Sequence, residues 1–130
     1  MKQPKDLNDY YHSFNSDNIQ FYESLKFFLI LSLEAKGHIL EFGIGRGRSL
    51  IAICHLINEL KIKKKLIAFD SFQGFNFINK KDKSTRRIRK NDWSSSPKAQ
   101  FKYNEQSLKK VIDKHIYKNN FKKVIFIKGY

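Results

Sequence analysis

Apolar and polar positions along the chain follow two periods. Phe21, Leu25, Phe28, Leu29 and Ser32 recur at helical spacing, with Asp17 and Gln20 ahead of them as a capping box and Gly37 behind as a stop. Tyr22, Leu31 and Leu33 on the other side are also apolar, which predicts a helix buried on more than one side. The short run "HILEF" (38–42), bounded by Gly37 and Gly43, predicts a buried strand. A helical stripe of Leu50, Ile51, Ile53, Cys54, Ile57 and Leu60 follows from Ser49. "KKKLIAFD" (63–70) predicts a second strand with Asp70 at its C-terminal end. Leu108, Val111, Ile112 and Ile116 fit another helix within 104–117, and "KKVIFIKGY" closes the chain as a third strand ending near Lys128.

The unit from His38 to Asp70 is strand, glycine turn, helix, strand, for which a parallel pair with a right-handed crossover is expected. The fold class is therefore α/β: the N-terminal half of a doubly wound, Rossmann-like parallel sheet, three strands with flanking helices. Residues 1–16 read as an irregular lead and 17–130 as one incomplete domain. The second half of such a sheet is not represented, so one side of its core should be thinly covered. An exposed sheet edge would favour self-association.

Residues 74–100 interrupt the regular pattern. Between Lys80 and Lys90 stand seven basic residues and one acid, then "NDWSSSP". A long connection in a compact domain calls for a functional reading, here a lid or an anion-binding surface, beside the plain reading of a solvated loop. Trp93 and Phe101 read as packing residues.

Composition changes this picture in two ways. Twenty-six basic against twelve acidic residues give a net charge of +14, which brings nucleic acid into consideration, although solvated surface lysines explain the same excess. One cysteine, Cys54, excludes an internal disulfide framework and suits a reducing compartment. The longest apolar stretch, Phe27 to Leu33, is too short to span a bilayer, and the polar N-terminus has no signal-peptide core. A soluble cytoplasmic protein without membrane partners is expected.

The candidate chemistry lies in "ILEFGIGRGRSL" (39–50). Ligands of open α/β sheets bind beyond the C-terminal strand ends, where glycines admit close backbone approach and a helix N-terminus favours anions. Gly43, Gly45 and Gly47 meet those needs. A phosphate loop would require Gly-Lys-Ser/Thr, and here Arg48 and Ser49 follow Gly47. A dinucleotide turn requires a third glycine where Arg48 stands. The pattern is instead E-x-G-x-G-x-G. Glu41 can hold the cationic methionine end of S-adenosyl-L-methionine, and Asp70 can accept ribose hydroxyls. Ser49 reads as a helix cap that can also meet the ligand.

"EFGIGRGRS" (41–49) followed by "FDSFQGF" (69–75) resembles the TylF/macrocin O-methyltransferase family of class I S-adenosylmethionine-dependent methyltransferases. The tryptophan of "NDW" and the closing "VIFIKGY" fall at matching places, so the resemblance covers roughly 20–130. It implies methyl transfer to a hydroxyl, often on a sugar of a natural product, assisted by Mg²⁺. By position, Glu41, Gly43, Gly47 and Ser49 line the methionine end, Asp70 binds the ribose, and Ser71 and Phe72 border the adenosine. Gln73 and Asn76 depart from the glutamate and proline usual there. The metal-binding acids and catalytic base belong to the second half, and His12, His38, His55 and His115 show no ligand spacing. No catalytic residue and no metal ligand is assigned, and the chain alone is expected to be inactive. Two other functions fit the same residues: a non-catalytic remnant or split-protein half, and a basic nucleic-acid-associated methyltransferase fragment.

Overall fold

The computed structural model describes residues 16–45, 47–79, 81, 90–91, 105–114 and 124–129. The irregular lead, most of the Lys80–Lys90 run, Trp93, Phe101 and Ile116 lie outside these. The elements are α1 (Ser16–Leu31), β1 (Ile39–Phe42), α2 (Arg48–Glu59), β2 (Leu66–Asp70), α3 (Glu105–Ile112) and β3 (Val124–Lys128). The strands form one parallel sheet in the order β1-β2-β3, with Ile39 opposite Leu66 and Leu66 opposite Val124. This is the half of a doubly wound sheet that the apolar runs predict.

Alternate strand residues turn Leu66, Ala68 and Val124 onto one face of the sheet, where α2 supplies Leu50, Ile51, Cys54, Leu56 and Ile57 and α3 supplies Leu108 and Ile112. Cys54 is a fully buried thiol, a small packing residue. α2 ends in a Schellman motif: Lys61 N–H donates to Asn58 O and Ile62 N–H to Ile57 O, at 3.3 and 2.9 Å. Lys61, at φ 52°, occupies the left-handed position usually given to glycine, and Ile62 tucks back into the core. Lys61→Gly is expected to raise stability by up to about 1 kcal/mol in urea denaturation. A destabilised variant would show that the lysine stem contributes more than its backbone strain costs.

α1 departs from expectation in three respects. Asp17 lies inside the first turn rather than capping it, since the helix already begins at Ser16. The helix ends at Leu31, well before Gly37: Ser32 Oγ donates to Leu29 O, and Leu33 N–H and Ala35 N–H make tight i→i−3 bonds. Burial is one-sided. Leu29 is buried and Tyr22 and Leu25 are packed against the core, whereas Phe27, Phe28 and Leu31 are exposed. Polar contacts fix this face: Tyr22 Oη and Lys26 Nζ each donate to Glu59 at 2.8 Å, and the Arg48 guanidinium lies 4.1 Å from the Phe21 ring centroid. Among the described residues no helix is long and apolar enough to cross a membrane.

Candidate functional site

β1 and β2 end side by side, and the chain leaves each through a turn built on glycine or aspartate. Gly43, Gly45 and Gly47 all take positive φ, 79°, 55° and 81°. Asp70 organises the turn from the neighbouring strand. Its Oδ2 accepts Gly45 N–H at 3.0 Å and its Oδ1 accepts Phe72 N–H at 2.7 Å. One carboxylate therefore links the glycine turn to the turn after β2, and it retains lone pairs for a ligand.

Beyond the strand ends lies a crevice of about 740 Å³, within the range of small-molecule sites. Gly43, Gly45, Asp70 and Ser71 form its polar side, and Phe42, Phe69 and Ile127 its apolar side. Phe42 and Phe69 stack with ring centroids 4.6 Å apart. Gly43 has nothing within 4 Å of where a Cβ would stand, so its backbone lies open at the crevice.

Glu41 alternates onto the covered face of β1, toward α2. Its Oε1 accepts the Ser49 hydroxyl at 2.5 Å, while its Oε2 is buried without a hydrogen-bond partner among the described residues. Burial raises its pKa to about 7; the Ser49 bond opposes that shift and the Asp70 charge adds to it. A buried acceptor left unpaired costs about 1–3 kcal/mol. The vacant oxygen is suited to a donor or cation brought by a ligand.

Two of the expected ligand contacts, Gly47 and Phe72, have packing roles. Gly47 is buried, and a Cβ there would sit 2.7 Å from Leu108 Cδ1, so this glycine lets α3 approach the start of α2. Gly47 is also the N-cap of α2 without any side-chain cap bond, so Ser49 lies within the helix and is not its cap. Its hydroxyl goes to Glu41 instead. Phe72, buried at φ 55°, packs toward Phe126 at 5.8 Å between centroids and turns away from the crevice. Of the expected residues, Gly43, Gly45, Asp70 and Ser71 line the crevice, and Glu41 and Ser49 are bonded to each other outside its lining. Sequence reasoning missed Phe42 and Ile127, whose signal was the strand alternation itself. Among the described residues no three His, Cys, Asp or Glu side chains come together as a metal site.

No family model matches this chain, and no curated protein matches it. Among solved structures it is similar to the crystal structure of CalS11, a calicheamicin methyltransferase, with a TM-score of 0.60 at 18% identity. The match covers 88% of this chain and 46% of that one, so the chain spans less than half the length of the protein it resembles. The fold is thus a Rossmann-like half-sheet with flanking helices, shared with part of that structure.

Proposed function

We propose that the crevice binds S-adenosyl-L-methionine and that the chain is the cofactor-binding part of an O-methyltransferase of the TylF type, acting on a sugar or natural-product hydroxyl. The observation that carries this reading is Glu41 Oε2, a buried acceptor without a partner among the described residues, two positions before the open backbone of Gly43. A pyrophosphate would be repelled by Glu41 and Asp70 together, whereas a ligand with an ammonium group and ribose hydroxyls satisfies both. When bound, the cofactor supplies the methyl group and a sulfonium leaving group. Glu41 holds the ammonium, Asp70 accepts from the ribose, Gly43 and Gly45 admit the ligand close to the backbone, and the Phe42–Phe69 wall excludes water. Mg²⁺, implied by the family resemblance, finds no ligand set among the described residues.

Calorimetric titration of the 130-residue chain tests the reading. S-adenosyl-L-methionine is expected to bind, and NAD⁺ and ATP are not. Asp70→Ala should weaken binding about 10- to 100-fold, the loss of hydrogen bonds to a charged acceptor. Tighter binding of either phosphate ligand, or an unchanged affinity in Asp70→Ala, would overturn it.

A further inference from the structure

Three successive residues at the start of α2 tie it to three different elements. Gly47 admits Leu108 of α3, Arg48 reaches α1, and the Ser49 hydroxyl goes to Glu41 on β1. Arg48 Nη2 donates to Asp17 O at 3.3 Å and to Asn18 Oδ1 at 3.2 Å, and its guanidinium carbon stands 4.1 Å from the Phe21 ring centroid. A planar group that donates along its edge and stacks on its face fixes a direction as well as a distance.

Helix stability does not explain this arginine. A cation in the first turn of α2 opposes the helix dipole, and no acid stands in that turn to offset it. The contacts on α1 oppose that cost, and they reach an element that is itself fixed. Leu29 is buried in the core, and Tyr22 and Lys26 bond Glu59 at the other end of α2. The N-cap, Gly47, makes no side-chain cap bond, and a glycine backbone is the least restricted of all. The direction in which α2 leaves the turn therefore depends on what the next two residues hold.

We propose that Arg48 is a positioning residue: anchored on α1, it holds the first turn of α2 so that the Ser49 hydroxyl meets Glu41, and so sets the carboxylate that receives the ligand's ammonium group. This rests on the reading of Glu41 as that group's partner, and the test separates the two. Carbon-13 titration of the Glu41 carboxyl needs no ligand. The Ser49 bond lowers the Glu41 pKa, so its loss should move the titration above the parent's, which lies near 7. Ser49→Ala gives the full size of that move. Arg48→Met, which keeps the apolar stem, should move Glu41 in the same direction. Asn18→Ala/Phe21→Leu should do so with the arginine's charge still in place, so the test stands if Arg48→Met fails to fold. At pH 7.5 a higher pKa leaves less carboxylate ionised, and both variants should bind S-adenosyl-L-methionine about 3- to 30-fold more weakly, with urea midpoints close to the parent's. A role in stability alone would lower the midpoint and leave the Glu41 titration where it is. An unmoved titration in either variant, or unchanged affinity where the parent binds, would overturn the proposal. A moved titration in a chain whose parent binds no S-adenosyl-L-methionine would keep Arg48 as the positioner of Glu41 and overturn the cofactor reading instead.

Discussion

Gly47→Ala is expected to cost about 3 kcal/mol of stability, read as a lower denaturation midpoint at unchanged m-value. Two effects add. The new methyl meets Leu108 Cδ1 at 2.7 Å, and although that atom ends a flexible side chain, Leu108 is fully buried between α2 and the sheet. Overpacking of this sort costs about 1–3 kcal/mol. The backbone at φ 81° adds about 1–2 kcal/mol for any residue with a Cβ. The double variant Gly47→Ala/Leu108→Ala separates the two: the clash disappears, the backbone cost persists, and the coupling between the substitutions should be favourable by about 1 kcal/mol or more. A loss under about 0.5 kcal/mol in Gly47→Ala would mean that α3 can slide away from α2.

The second large effect belongs to Glu41. Its pKa is about 7 instead of 4.5 because the carboxyl is buried. The sign follows from proton counts. Between the two values the folded chain holds a proton that the unfolded chain has released, so stability falls as pH rises from about 4.5 to 7 and is level above. The total is on the order of 3 kcal/mol. A cationic ligand needs the ionised form, so its affinity should rise about tenfold per pH unit up to pH 7. It should fall again once an α-amino group itself deprotonates near pH 8. Titrations in buffers of different ionisation enthalpy should show close to one proton released at pH 6. Glu41→Gln should bind S-adenosyl-L-methionine about 30- to 1,000-fold more weakly at pH 7.5. The same variant should be more stable than the parent at pH 8 and lose the stability slope between 4.5 and 7. Affinity that stays level from pH 5.5 to 7 would remove Glu41 from the binding site.

These expectations rest on features of unequal visibility in the sequence. The three strands were legible because "HILEF", "LIAF" and "VIFI" are apolar runs between turn residues, and their parallel order follows from the intervening helices. Glu41 and Asp70 were legible as acids at strand ends. The partner of Glu41 was not: Ser49 reads as a cap by local pattern, and only the glycine turn folds it back onto the carboxylate. The packing role of Gly47 was not legible, because its reason lies far along the chain, in Leu108. Arg48 looked like an obstacle in a nucleotide turn, yet its side chain reaches α1 at Asp17 O and Asn18. The exposed side of α1 defeated prediction for a simpler reason. Hydrophobicity reports what can be buried, and Phe27, Phe28 and Leu31 have no described partner to bury them.

The Asp70 bridge also ties the binding turn to the pairing of the strands. Gly45 and Asp70 are 25 residues apart, and their bond exists only when β1 and β2 are already in register. The helix between them is held by local bonds, whereas the turn is held by a contact that closes the whole segment. The finished turn therefore depends on strand pairing, and a change that shifts the register of β1 against β2 would undo the binding turn without touching a residue in it.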